Sequence, residues 1–318
     1  MGYTAGDTIL DDEYNVFVNS SSDPYGYNHF AGAGSGVYGL NQSSIATVSA
    51  GETISASNWN ALFTGLDNIA NHTNTSITST SVSAGDTIAI KSALVTDLAN
   101  LAAAVAAGST GATAITTGVA AGTSTNSGTW NSTSTIERSV TFADNATMRA
   151  FFNAGGYIGA DPGISGSTDG NKDTVFSELA AAVGNLNIKA HSTQRTGTGE
   201  TQTSLASSTG FHDLTTSYTS LIVLNSDNGA DYNSNTIEIQ AKLDAAPTSA
   251  TVLTVKMIST DAAGDETYDP SNPAGVPTNP NEAPAMVLAL IENHPNDTEG
   301  LASAIRVSSN AQVSNSQS

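Results

Sequence analysis

The sequence predicts an α+β fold that is mainly β, with a small N-terminal segment of helices and loops followed by an antiparallel β-sandwich domain with two short helices. Two observations carry this prediction. Runs rich in Thr, Val and Ile alternate with turn-forming residues between 187 and 260, as short antiparallel strands do. Earlier in the chain, apolar residues recur at helical spacing. We therefore expect three regions: 1–107 with short helices, 108–138 as a Gly/Ser/Thr-rich linker, and 139–318 as the β-sandwich domain.

The charge of the chain limits its partners. Among 318 residues, 29 are acidic and 9 are basic, which gives a net charge of -20. Such a charge repels nucleic-acid phosphates and anionic membrane surfaces. No run of about 18 apolar residues is present to span a bilayer. We therefore expect no nucleic acid as partner and no membrane insertion, and we expect no signal peptide because no basic segment precedes an apolar run at the N-terminus.

The rest of the composition describes a polar surface over a thin core. Charged residues make up 12% of the chain and hydrophobic residues 38%, while cysteine is absent. Hydroxyl and amide side chains therefore cover most of the surface, and the patterned apolar residues suffice for a core. Disulfides and thiolate metal sites are excluded.

Helices are predicted after recurring phrases near the N-terminus: TAGDTI at 4–9, SAGETI at 49–54 and SAGDTI at 83–88. The acidic residues 11–13 suit a helix start. Ser57 is predicted to cap a second helix, whose buried face has the spacing i, i+3, i+4, i+7, i+10 and i+11 in Trp59, Leu62, Phe63, Leu66, Ile69 and Ala70. A third, alanine-rich helix has a narrow stripe of Leu94, Leu98, Leu101 and Val105. That stripe fits one neighbouring helix, with a symmetry mate as one option.

The stretch FADNATMRAFFNAGG, residues 142–156, predicts a strand–helix–strand unit. Residues 139–143, which include Phe142, form a strand, Asp144 caps a short helix over 145–153, and Gly155 and Gly156 end that helix before the chain extends again. The adjacent Phe151 and Phe152 are predicted to be the core of this unit. A further helix over 173–186 presents Val175, Leu179, Val183 and Leu186 on one side.

The remaining segments predict an antiparallel sandwich, with helices 145–153 and 173–186 closing one end. The predicted strands lie within 187–192, 210–226, 236–244, 251–260, 287–294 and 303–313. The segment 269–284 carries five of the nine prolines and is predicted to be a long extended loop.

Candidate chemistry is weak throughout the sequence. The histidines at 29, 72, 191, 212 and 294 show none of the close spacings of a zinc pair. The segment DGNKD at 169–173 resembles the opening of a calcium loop but lacks its glycine and its last acidic ligand, which favours a structural turn. The glycine-rich segments 31–36 and 197–203 lack the Lys-Ser/Thr of a phosphate loop. No G-x-S-x-G elbow fixes a nucleophile. We therefore expect no catalytic, metal or cofactor-binding residues.

The motifs resemble those of one known group of proteins. The segments are DDEYN (11–15), YGLNQS (38–43), SAGETISASNWNALFTGLDNIANHTN (49–74), VTFADNATMRAFFNAGGYI (140–158), DTVFSELAAAVGNL (173–186), GFHDLTTSYTSLIVL (210–224), YNSNTIEIQAKLD (232–244) and TVLTVKMISTD (251–261). In this order they are similar to virion structural proteins of tailed bacteriophages, especially of the marine T4-like cyanophage type. The resemblance covers most of 1–90 and 139–262.

This resemblance implies a structural subunit of a tail, collar or neck appendage, such as a fibre or whisker, with a baseplate component as a further option. It implies a location in the virion, assembly through the N-terminal region, contact with other virion proteins, and a homo-oligomer, with a trimer favoured because such parts are commonly threefold. The residues expected to form the core and assembly positions are Trp59, Leu62, Phe63, Leu66, Phe142, Phe151, Phe152, Gly155 and Gly156.

The alternative is a host-surface glycan-binding module. In that interpretation the β domain recognises glycan through polar loops and through Tyr218, Tyr232 and Tyr268. An enzyme, for example a depolymerase, is not expected, and no cofactor is expected.

Overall fold

The computed structural model describes residues 10–83, 91–126, 130, 132–166, 171–227, 234–262, 283–296, 298, 300–301 and 304–318. The chain divides into two compact units. The first, here called the helical unit, comprises Met1–Thr117, Asp144–Gly156 and His294–Arg306. The second, the β unit, comprises Gly118–Ala143, Tyr157–Asn293 and Val307–Ser318. The fold is α+β and mainly β, as predicted.

The helical unit is built from short helices joined by loops. Its helices are α1 (Asp11–Asn19), α2 (Tyr27–Phe30), α3 (Ala56–Thr73), α4 (Lys91–Ala106) and α5 (Asn145–Asn153). The phrase at 4–9 and most of the phrase at 83–88 lie outside the described residues. Among the described residues, no helix has the length and apolar character needed to cross a bilayer.

The N-cap of helix α3 lies two residues before the predicted one. Ser55 is the N-cap: its hydroxyl accepts from the backbone N–H of Asn58, and the Asn58 side chain accepts from the backbone N–H of Ser55. The prediction of Ser57 as the cap is therefore wrong, because a reciprocal pair three residues apart satisfies two backbone donors and a serine inside the first turn does not. The helix ends at Thr73, and the C-cap residue Asn74 has a left-handed φ of 54°.

The predicted apolar faces of α3 and α4 are both buried. Trp59 packs edge-on against Tyr14 of α1 at a ring distance of 5.2 Å and stacks with Phe63 at 5.8 Å. The stripe on α4 is buried against α3 and α2 of the same chain. A symmetry mate is therefore not required to cover this stripe.

Helix α5 forms where the sequence predicted it. The carboxylate of Asp144 accepts from the backbone N–H of Thr147 at 2.7 Å, which caps the first turn. Gly155, with φ of +83°, ends the helix, since a left-handed backbone suits a residue without Cβ. However, α5 belongs to the helical unit. Its contacts with Tyr38 and Gly39 lie within that unit, and the closing of one end of the sandwich by this helix stays a prediction.

The β unit contains two antiparallel sheets. A six-stranded sheet has the order β11-β2-β9-β8-β7-β6, and a five-stranded sheet has the order β1-β10-β3-β4-β5. The strands are β1 (Ile115–Thr125), β2 (Thr133–Thr141), β3 (Tyr157–Ser165), β4 (Leu186–Ile188), β5 (Thr193–Arg195), β6 (Thr201–Leu205), β7 (Thr219–Asn225), β8 (Thr236–Leu243), β9 (Val252–Thr260), β10 (Ala285–Pro295) and β11 (Ser309–Gln317). Helix α6 (Asn171–Val183) packs on β3.

The segment predicted as a linker, 108–138, is not a linker in the structure. It holds β1 and most of β2, which lie in different sheets. A guanidinium N–H of Arg138 donates to the Ser124 hydroxyl, and the Asn126 amide donates to the Ser134 hydroxyl, so polar contacts join these strands. The segment lacks a strong apolar alternation because several of its inward positions are polar.

Most other strand predictions are confirmed, although some strand boundaries differ where the alternation of apolar residues is weak. Strands β7, β8 and β9 lie in the predicted segments, whereas β10 extends beyond the segment 287–294 at both ends and β4 covers only the start of the segment 187–192. The last strand begins at Ser309 and not at 303, and β6 lies across the end of a segment predicted to be a glycine-rich loop. The proline-rich loop lies outside the described residues for 269–282.

Candidate functional site

The residues predicted from the sequence lie in the interior. All seven apolar ones are buried: Trp59, Leu62, Phe63, Leu66, Phe142, Phe151 and Phe152. Phe142 lies in the β unit, whereas the other six lie in the helical unit with Gly155 and Gly156. Phe151 and Phe152 are in edge-to-face contact at 5.1 Å. Gly156 has no room for a side chain, because a Cβ there would lie 2.6 Å from the Phe151 carbonyl oxygen.

Two polar residues of α5 bind the glycine-rich loop 31–39, and the sequence did not single them out. Arg149 donates from Nη1 to the carbonyl oxygen of Tyr38 at 2.9 Å. Asn153 donates from Nδ2 to the carbonyl oxygen of Gly39 at 3.1 Å. Both side chains are buried. Helix α5 therefore contributes the aromatic pair to the core and also fixes the backbone of a surface loop.

That loop helps to build an aromatic cluster of Tyr25, His29 and Tyr38, all half-buried. The rings of Tyr25 and His29 stack at 4.4 Å, Tyr25 and Tyr38 lie 4.6 Å apart, and His29 and Tyr38 lie 5.1 Å apart. Helix α2 is a single turn that places His29 beside the loop. Gly26 precedes this turn, where a Cβ would lie 2.6 Å from the backbone of Asn19.

The surroundings of the aromatic cluster shift two pKa values. Burial lowers the pKa of His29, and the nearby positive charge of Arg149 lowers it further. Burial raises the pKa of Tyr38, with further contributions from Tyr25 and from the carboxylate of Asp23. The lowered pKa of His29 and the raised pKa of Tyr38 both favour the uncharged forms of these two side chains. Such a set suits hydrogen bonding and ring stacking with a neutral ligand, and it offers no activated nucleophile.

Three buried residues with ionisable side chains, Asp97, Lys172 and Asp261, serve the structure. Asp97 of α4 accepts from the backbone N–H and the hydroxyl of Ser79 at 2.8 and 2.6 Å, and from the backbone N–H of Thr78 at 3.1 Å. In the β unit, the ammonium of Lys172 lies 2.5 Å from the carboxylate of Asp261, and both residues are buried. Buried charges require such partners, so these groups hold segments of the chain together.

Metal-binding geometry is absent from the part of the chain that the structure describes, where no three His, Asp or Glu side chains converge. His191 and His212 stack at 4.8 Å in the β unit, and His72 is buried in the helical unit. Of the calcium-like segment 169–173, the first two residues lie outside the described residues, and Lys172 is committed to Asp261.

The aromatic residues proposed for glycan binding in the β domain are not open platforms where they are described. The ammonium groups of Lys256 and Lys242 lie 3.7 and 4.4 Å from the centre of the Tyr218 ring. Burial raises the pKa of Tyr218, and the neighbouring Glu137 carboxylate raises it further. Tyr232 and Tyr268 lie outside the described residues.

Comparison of the chain with protein-family models, curated proteins and solved structures gave no match. The resemblance to phage virion proteins therefore stays a prediction from motifs. The aromatic cluster had a possible signal in the sequence, since residues 25–38, YGYNHFAGAGSGVY, are dense in rings and glycines. That signal lacks a regular period, and only the fold brings Arg149 to the same loop.

Proposed function

We propose that the chain is a structural subunit of a tailed-phage virion appendage of the tail, collar or neck, such as a fibre or whisker. The observation that carries this proposal is that the aromatic residues of the motifs are buried. Trp59, Phe63, Phe151 and Phe152 pack in the interior of the helical unit. Motifs whose aromatic residues form a packed core fit a protein with a structural role.

The proposed role is non-catalytic and depends on assembly. The strongly acidic chain has hydroxyl- and amide-rich surfaces and a core divided between two units. Units with small cores gain stability from association with further subunits. We therefore propose a homo-oligomer that contacts other virion proteins through its N-terminal region. The threefold symmetry implied by the resemblance stays a prediction.

Particle composition tests this proposal. Phage particles from the source of this sequence, purified on a density gradient, should contain the chain in a fixed copy number relative to the major capsid protein, as measured by quantitative mass spectrometry. The ratio should stay constant across the particle peak. A chain found only in the soluble fraction of the lysate would contradict the proposal.

A second candidate function is recognition of a neutral saccharide, and the half-buried aromatic cluster favours it. Rings of Tyr25, His29 and Tyr38 beside the Asp23 carboxylate offer stacking surfaces with hydrogen-bonding edges. A glycan array probed with the whole chain tests this function. Binding should be lost in Tyr25→Ala and retained in Tyr218→Ala, whereas binding that depends on Tyr218 alone would contradict the assignment.

A further inference from the structure

Arg138 of β2 is a cation at an interior position of the β unit. Its neighbours on the same face of the strand, Ile136 and Val140, are fully buried, and Arg138 itself keeps only 4% of its surface exposed. Successive side chains of a strand point to opposite faces, so the arginine takes a place that its neighbours fill with apolar groups. Burial lowers the pKa of Arg138, as it does for a cation removed from water.

The guanidinium of Arg138 joins the two sheets through neutral partners. Nη1 donates to the hydroxyl of Ser124 in β1, and Nη2 donates to the amide oxygen of Asn310 in β11. Gly122 of β1 lies against the same pair, because a Cβ at this position would collide with the guanidinium. These contacts hold the arginine in place, but they supply no negative charge.

Two donors of this pair have no hydrogen-bond partner among the described residues: Nε of Arg138 and Nδ2 of Asn310. Both atoms are shielded from solvent. No Asp or Glu in the described part of the chain forms an ion pair with Arg138. Buried polar groups are normally hydrogen-bonded, and a buried charge is costly without an opposite charge. The pair thus lacks a hydrogen-bond acceptor that carries negative charge.

A second buried arginine, Arg149, finds its partners within the chain. Each of its three guanidinium nitrogens donates to an acceptor, either a side-chain amide oxygen or a backbone carbonyl oxygen. Burial lowers the pKa of Arg149, and the carboxylate of Asp144 opposes this shift. Arg138 lacks both the third acceptor and the carboxylate, so the two sites differ in what a ligand has to supply.

The net charge of -20 acts mainly at the surface and does not provide the missing partner. Glu137, the acidic residue next to Arg138 in the sequence, points to the opposite face of β2, since side chains alternate along a strand. Salt screens exposed carboxylates over a distance of about 10 Å, whereas contacts between buried groups are screened much less. The buried guanidinium therefore dominates the local potential.

We propose that Nε of Arg138 and Nδ2 of Asn310 bind a small inorganic anion of the halide class, such as chloride. A halide accepts hydrogen bonds from both donors and supplies the missing charge, whereas a water molecule supplies no charge. Because both donors are shielded from solvent, the site suits a monatomic ion and not phosphate or sulfate. The ion stabilises the contact between the two sheets, since the same guanidinium binds Ser124. This inference is independent of the proposed function.

Urea denaturation of the whole chain tests the site, with sodium chloride replacing sodium gluconate at fixed ionic strength. Fixed ionic strength keeps the screening of surface charges constant, and gluconate is too large for a closed site. The midpoint of unfolding should rise with the chloride concentration. At a concentration ten times the dissociation constant, the equilibrium constant for unfolding should be about tenfold lower than in gluconate. Sodium bromide should act in the same way.

Asn310→Asp is the decisive variant, because it places a carboxylate beside the guanidinium and supplies the missing charge within the chain. In gluconate this variant should be more stable than the wild type, and chloride should no longer stabilise it. The matched control is Ala311→Asp, which adds the same charge at an exposed position on the other face of β11. The control should keep the chloride dependence of the wild type.

Anomalous diffraction from crystals of the whole chain grown in sodium bromide locates the ion directly. A bromide peak should lie beside Nε of Arg138 in the wild type and should be absent from Asn310→Asp. A water molecule at this position, or bromide at the surface alone as an adventitious ion, would overturn the proposal. Equal chloride dependence of the wild type and Asn310→Asp would also overturn it.

Discussion

Nε2 of His72, near the end of α3, lies 2.9 Å from the carbonyl oxygen of Ala154, the residue that follows the last turn of α5. The carbonyl accepts this hydrogen bond from the ring, and both residues are buried. The contact joins residues that are 82 positions apart in the chain. It fixes the end of the helix that carries Phe151 and Phe152 to the helical unit.

This arrangement predicts that residues 139–318 fail as an independent domain. A fragment with those ends keeps α5 but loses α1 to α4, β1 and most of β2, so part of the surroundings that bury Phe151 and Phe152 and part of the six-stranded sheet are removed. We expect the fragment to bind an apolar dye such as anilinonaphthalene sulfonate and to aggregate. The intact chain, measured at the same concentration, should bind far less dye. A soluble fragment without dye binding would contradict the assignment of α5 to the helical unit.

Phe152→Ala should strongly destabilise the chain. The side chain is fully buried, and truncation of a buried phenylalanine costs about 3–5 kcal/mol in the free energy of unfolding. Urea denaturation followed by tryptophan fluorescence measures this change. The control is Val313→Ala on the exposed edge strand, which should change the free energy of unfolding of the single chain by no more than about 0.5 kcal/mol. Equal stabilities of the two variants would place Phe152 outside the core.

Asp97→Ala should release the segment around Thr78 and Ser79 from α4. Hydrogen bonds to a charged group are worth about 1.5–3 kcal/mol each, and the carboxylate accepts from both residues. We expect a loss of about 3 kcal/mol or more in the free energy of unfolding, with a smaller loss for Asp97→Asn. Asp67→Ala is the matched control, because the exposed Asp67 accepts only a long bond of 3.4 Å from Asn71. Similar losses at both positions would contradict this role.

Sequence analysis predicted those helices and strands in which the spacing of apolar residues within the element itself shows its type. Helix α3 followed from the spacing of Trp59, Leu62 and Leu66, and β8 followed from a strict alternation that the structure reproduces in its burial. Strand β6 was not predicted, because an exposed edge strand needs no apolar face. Its first four residues are exposed. Strand β1 was not predicted because glycine, alanine, serine and threonine make up most of its sequence, ITTGVAAGTST.

The position of α5 and the aromatic cluster depend on contacts between distant residues. Arg149 reaches the Tyr38 carbonyl across 111 positions, and no local pattern encodes that pairing. The same limit explains the predicted linker, where the strand β1 finds its neighbour β10 far along the chain. Local spacing thus identified the helices and the central strands, whereas unit membership required the fold.

His29 should make stability depend on pH in a defined direction. Its folded-state pKa is lowered from 6.5 by burial and by Arg149. Between the lowered pKa and 6.5 the unfolded chain therefore binds more protons than the folded chain, so stability falls as the pH drops through this window. Urea denaturation at about pH 7.5 and about pH 5.5 should show a smaller decrease for His29→Gln than for the wild type. An equal decrease in both proteins would contradict this assignment.

Immunogold electron microscopy of purified particles tests the central claim most directly. An antibody raised against the whole chain should place gold at one defined position on the tail, collar or neck of each particle. Particles that lack the chain through gene disruption should carry no gold there and should lack the corresponding appendage. Unlabelled particles with every appendage intact, together with the chain in the soluble fraction, would contradict the claim.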